Sequence, residues 1–81
     1  YWYHPHPHGK TAYQAYMGLA GVFIVNDSEE AALNLPSGNY EIPLVIQDKR
    51  FYPDYSLNYS PTGGEIMTGY FGQYILVNGV N

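Results

Sequence analysis

The sequence predicts an all-β chain, and three observations carry that prediction. Tyrosine occurs ten times in 81 residues, and its ring packs on a half-buried pleated surface while its hydroxyl stays wet. Nine glycines and six prolines punctuate the chain at short intervals, the pattern of many short strands joined by turns. The apolar runs between them are short and rich in β-branched residues, residues 19–25 and 40–51 above all, which suits strands better than helices.

Residues 1–8 (YWYHPHPH) alternate with period two. Pro5 and Pro7 forbid a helix there and leave an extended, edge-like strand. Residues 10–17 (KTAYQAYM) hold better helix formers and Gly18 supplies a stop, so one or two helical turns are expected. Residues 19–25, bounded by Asn26-Asp27, read as a buried strand. Asp27-Ser28-Glu29-Glu30 can cap a short helical turn over 31–33, with acids placed well for the helix dipole. Pro36-Ser37-Gly38-Asn39 is a turn cluster and the expected boundary. Beyond it, residues 40–51 (YEIPLVIQDKRF) read as a second strand with Ile42, Leu44 and Ile46 on one face. Residues 52–70, rich in Tyr, Ser, Pro and Gly, read as an irregular excursion. Residues 73–77 form the last expected strand, and Asn78-Gly79 signals a hairpin turn. The chain therefore reads as ending mid-motif.

A chain of 81 residues has room for one small domain and buries only about 60% of the surface its unfolded form exposes. Such domains recover stability through disulfides, a metal or oligomerisation. The sequence holds no cysteine, which removes disulfides and thiolate metal sites. Metal and self-association remain. The net charge of −4, with only Lys10, Lys49 and Arg50 basic, argues against nucleic acid, whose phosphates need clustered cations. It offers no attraction to an anionic membrane surface either. The longest nearly apolar run, residues 17–25, is far short of the ~20 residues a spanning helix needs. The chain opens on Tyr1 without an initiator Met, which reads as a truncated or processed end, so targeting signals stay undecided.

All three histidines, His4, His6 and His8, lie in HPHPHG. On an extended strand they share one face, with successive Cα atoms about 6.6–6.8 Å apart. Imidazoles so spaced can chelate one ion or hold two neighbouring ions, one each. Imidazole suits Cu, Zn, Fe and Ni, and the prolines lower the cost of ordering the array. The alternative is a set of surface imidazoles on a Pro/His-rich terminus.

The stretch WYHPHPHGKTAYQAYMGLAGVFIVND resembles the second histidine motif of laccase-like multicopper oxidases. In that family a strand ending in W-[YF]-H-x-H leads into a helical turn, then a Gly-Leu-Ala-Gly segment and an apolar strand. LPSGNYEIPLVIQDKRF resembles the linker and first strand of the family's second cupredoxin domain, and GYFGQYILVNG its next strand and turn. The likeness covers nearly the whole chain and is greatest to bacterial copper-efflux oxidases. It implies a fragment with a partial cupredoxin-like Greek-key β-sandwich, completed by oligomerisation. Residues 1–37 would be the C-terminal part of the first domain and residues 38–81 the opening strands of the second. It also implies that His4 and His6 each ligate one of two type 3 coppers. His8 lies outside the pair: in an intact enzyme it would hydrogen-bond or face solvent, and in an isolated chain it could be recruited as a further ligand.

The family assembles its copper cluster from four His-x-His pairs, and this chain holds one. A blue type 1 site needs a thiolate, and the sequence has none. The chain is expected to contribute ligands to an oxidase without being active alone. The parent activity implied is one-electron oxidation of phenols or metal ions coupled to reduction of dioxygen to water, in a periplasmic or secreted setting. Expected partners are copies of the chain or a complementary fragment of the same oxidase. The alternative is a stand-alone, non-catalytic oligomeric copper-binding or structural module.

Other features point nowhere specific. Gly18-Leu19-Ala20-Gly21 lacks the spacing and the Lys-Ser/Thr pair of a phosphate loop. Asp48-Lys49-Arg50 reads as a solvated strand end, and nothing in the sequence places two of Asp27, Glu29, Glu30 and Asp54 in one pocket. Trp2 and the tyrosines could stack on ligands or carry electron holes near copper; packing is the stronger expectation.

Overall fold

Two antiparallel sheets, each two strands wide and open at both edges, organise the chain. A computed structural model describes all 81 residues and divides them into two units, Tyr1–Pro43 and Leu44–Asn81. The helices are one or two turns long, as an all-β chain with helical connectors requires.

In the first unit β1 (Trp2–Tyr3) pairs with β2 (Gly21–Val22), Trp2 opposite Val22 and Tyr3 opposite Gly21. Tyr1 extends the ladder: Phe23 N–H donates to its carbonyl at 3.0 Å, and its own ammonium donates to Phe23 O at 3.1 Å. The pairing stops before Pro5 and Pro7, which have no N–H to give. Residues 19–25 were expected as a buried strand, and here the structure corrects the expectation. The ladder takes in only Gly21, Val22 and Phe23, and Leu19, Phe23, Ile24 and Val25 stay exposed. No second layer lies on this edge, so nothing buries the run.

Helix α1 (Thr11–Tyr16) follows a turn closed by two donors to Pro7 O, Lys10 N–H and Thr11 Oγ1–H, both at 3.1 Å. Helix α2 (Ser28–Ala32) is capped as expected: Glu30 N–H donates to Asp27 Oδ1 at 2.7 Å, with Glu29 and Glu30 in the first turn. A 3₁₀ turn follows at Gly38–Tyr40.

In the second unit β3 (Ile46–Lys49) runs antiparallel to β4 (Tyr74–Val77), from Ile46 opposite Val77 to Lys49 opposite Tyr74. The strand expected over 40–51 is thus shorter. Its start is lost to the 3₁₀ turn, which uses the Tyr40 and Glu41 N–H groups, and to Pro43, which cannot donate to a ladder. Asn78 and Gly79 form the expected turn, both at positive φ, 50° and 82°, and Val77 and Val80 exchange both backbone hydrogen bonds across it. Asn78 also pins β3, accepting from Val45 N–H at Oδ1 and donating its own N–H to Val45 O, each at 2.9 Å.

The excursion between β3 and β4 is less irregular than its composition suggests. Helix α3 (Gly63–Thr68) stands in it on a complete capping box: Glu65 N–H donates to Thr62 Oγ1 and Thr62 N–H to Glu65 Oε2. Arg50 anchors the excursion to the strand end, donating from Nη2 to Glu65 Oε1 and from Nε to Phe71 O, each at 2.7 Å. Its guanidinium lies 4.1 Å over the Tyr70 ring.

No hydrophobic side chain is buried, and Lys49 alone among all residues falls in the buried range, at 6% exposure. The accessible surface is 6815 Å². Two compact bodies sharing this chain's mass would together expose only about 5,900 Å². Ile42, Leu44 and Ile46, expected on one face of a strand, are all exposed. No helix is long and apolar enough to cross a membrane.

Candidate metal centre

The period-two alternation of the first residues carries Trp2, His4 and His6 onto one side of the extended segment, and their rings stack in series. The indole of Trp2 and the imidazole of His4 have centroids 4.5 Å apart with planes 28° from parallel. The imidazoles of His4 and His6 follow at 4.2 Å and 34°. His4 is half-buried, while His6 and His8 are exposed. His8 leaves this row because the chain turns at residues 8–10 to enter α1. No three or more His, Cys, Asp or Glu side chains gather so as to hold one ion.

His4 has a defined partner. Its Nδ1 lies 3.0 Å from the carbonyl oxygen of Pro5, and a carbonyl only accepts, so Nδ1 carries the proton. The neutral ring then keeps its lone pair on Nε2, the atom left to ligate a metal. Pro5, chosen as a helix breaker, thus also selects a tautomer. Spacing in the sequence puts His4, His6 and His8 on one face, and the structure keeps only the first two there; the carbonyl contact has no signal in the sequence.

The titratable groups with displaced equilibria lie elsewhere, in the second unit. Glu65 is held below the ordinary carboxylate range, first by the Thr62 N–H and then by Arg50, and the Glu65 hydrogen bond raises Arg50 in turn. Ser56 holds Asp54 low through its hydroxyl and its N–H. Burial pushes the Lys49 ammonium down, partly offset by Asp48. None of these groups approaches an arrangement of paired acid and base. Two hollows are also present. One of about 340 Å³ is lined by residues including Asp27, Glu30 and Leu35; one of about 630 Å³ is lined by residues including Phe51, Tyr52, Tyr55 and Tyr74. Neither includes a histidine.

No family model matches the chain. Individual proteins do. The chain is 46% identical over 81 residues to a multicopper oxidase of Staphylococcus haemolyticus, covering 98% of this chain and 17% of that protein. It is 43% identical over 77 residues to a laccase of Haloferax volcanii, covering 95% of this chain and 13% of that one. A bilirubin oxidase of Albifimbria verrucaria is 40% identical over 80 residues, covering 96% of this chain and 14% of that one. The chain thus spans between 13% and 17% of the length of these relatives.

Proposed function

Since the chain belongs to the laccase-like multicopper oxidase family, we propose that His4 and His6 supply ligands to the copper cluster at which such an oxidase reduces dioxygen. The observation that carries this reading is the imidazole pair itself. Two rings lie side by side at 4.2 Å, and the Nδ1 of His4 is turned to a carbonyl so that Nε2 remains for a metal. A thiolate-free imidazole set suits copper, and the sequence offers no cysteine to compete.

Each histidine of the pair is assigned to one copper of a type 3 pair. Copper, when bound, supplies the one-electron steps that connect a reducing substrate to dioxygen. The chain's own part is to hold and orient: Pro5 and Pro7 keep the array extended, the Pro5 carbonyl fixes the His4 tautomer, and second contacts of this kind raise ligand basicity. His8 is left as a surface or hydrogen-bonding residue. The activity proposed for the whole oxidase is one-electron oxidation of phenols or metal ions coupled to reduction of dioxygen to water.

The proposed partner is apolar and protein in nature, either further copies of this chain or complementary parts of the same oxidase. Exposure of Leu19, Ile24 and Val25 in the first unit and of Leu44, Ile46 and Ile75 in the second supports it, since large apolar side chains left uncovered in such number favour an interface. A second reading, a non-catalytic oligomeric copper-binding module, is favoured by one observation: without cysteine the chain itself cannot form a type 1 electron entry site.

Native mass spectrometry of the full chain after copper loading tests the proposal, because it counts metal and subunits together. Copper should be retained on an oligomer, and the His4→Ala/His6→Ala double variant should lose it. Equal copper on the double variant would remove the pair from the reading.

A further inference from the structure

The stack of three rings assigns Trp2 a role that the histidine motif alone does not express. We infer that Trp2 is a positioning residue for His4, fixing the plane of the imidazole while the Pro5 carbonyl fixes its tautomer. The inference rests on the proposed copper role of the pair only for its consequence, not for its geometry.

A histidine ring on an exposed terminus turns freely about two side-chain bonds. Here two contacts of different kinds restrain it. The hydrogen bond between Nδ1 and Pro5 O, at 3.0 Å, sets the direction of one ring nitrogen but does not by itself keep the ring from rocking out of line with the carbonyl. The indole face, 4.5 Å from the imidazole centroid and 28° from parallel, opposes that rocking. His6 lies against the same imidazole at 4.2 Å, its plane tilted 34° from that of His4. Trp2 can do this because strand pairing holds it in turn, opposite Val22 in β1–β2. The backbone there is closed by Tyr1 and Phe23.

Trp2 is also the sole tryptophan of the chain, so its emission reports on this place and no other. Because the indole lies against the His4 ring, copper(II) held by His4 would be expected to quench it.

The test uses the full chain, with Trp2→Leu and Trp2→Phe as variants. Long-range ¹H–¹⁵N spectra of the metal-free protein at mildly alkaline pH read the His4 tautomer. The parent and Trp2→Phe should hold the Nδ1–H form, and Trp2→Leu should drift toward the Nε2–H form that free imidazole side chains favour. Copper affinity should fall about three- to tenfold in Trp2→Leu, the range for losing one aromatic pair, and recover in Trp2→Phe. An unchanged tautomer together with unchanged affinity in Trp2→Leu would overturn the inference. Protection of the Phe23 amide monitors the strand. Should that protection collapse in Trp2→Leu, Trp2 emission in the parent decides: quenching in step with copper binding, abolished in His4→Ala, supports the stack, and unquenched emission refutes it. If the parent binds no copper, the copper reading of the pair fails by itself, and the tautomer comparison still decides the role of Trp2.

Discussion

Gly72 has the closest surroundings of any glycine in the chain. A Cβ built there falls inside contact distance of the backbone nitrogen of Lys49 and the carbonyl carbon of Asp48, atoms of a paired strand that cannot swing aside. Its N–H donates to Asp48 Oδ2, so the approach is also hydrogen-bonded. Gly72→Ala should cost at least about 2 kcal/mol through overpacking, seen as lost amide protection along β3 and β4; unchanged protection would contradict the close approach. Glu65 makes the matching statement about charge. Its folded value is depressed, chiefly by the Thr62 N–H and then by Arg50. A depressed carboxylate stabilises the fold fully above its unfolded value, ordinarily 4.5, and that contribution fades as pH falls through the folded one. The region around α3 should therefore loosen in acid, visible in the Tyr70 and Thr68 resonances, with Glu65→Gln removing most of the pH response. An identical acid response in the Gln variant would place the titration elsewhere. Of these residue-scale features, the shared face of His4 and His6 was legible in the sequence, because period two and proline fix its direction, whereas the same alternation put His8 on that face and the turn at residues 8–10 takes it off. The close approach of Gly72 and the Pro5 contact of His4 were not, since each depends on where a second piece of backbone passes.

Helix α3 shows what composition hides at the scale of elements. Gly63 and Gly64 are poor helix formers, and with Pro61 and Thr62 they read as loop. The usable signal was Thr62 and Glu65 at capping-box spacing, and the structure uses both. The helix is only six residues long, so its cap matters more than its propensities. Thr62→Ala should cost about 1 kcal/mol of local stability, read as faster exchange of the Glu65 and Ile66 amides, while Thr62→Ser keeps them protected. Equal exchange in both variants would discount the cap. Helix α2 was legible for the same chemical reason, with Asp27 and the two glutamates adjacent in sequence. Strand positions were legible from their β-branched runs, but strand lengths were not. A strand is as long as its partner, and the partners of residues 19–25 and 40–51 extend over two and four residues.

At the scale of the molecule, the class of the fold follows from Tyr, Gly and Pro content, and the two open antiparallel sheets bear it out. The missing core was legible only in part. The apolar faces are written in the sequence, but whether anything covers them depends on surface the chain does not itself carry. With no buried hydrophobic side chain, packing contributes little, and the proposed metal and apolar partner would be the sources of order. The copper-binding pair proposed for this chain is His4 and His6, with His8 outside it. Calorimetric titration of copper into the full chain and its single alanine variants tests that claim most directly. His4→Ala and His6→Ala should each weaken binding by at least about tenfold, because a two-imidazole copper site loses one of its donors, whereas His8→Ala should change it much less. Unchanged affinity in both His4→Ala and His6→Ala would contradict the account, and a loss in His8→Ala as large as that in His4→Ala would replace the pair by a three-histidine site.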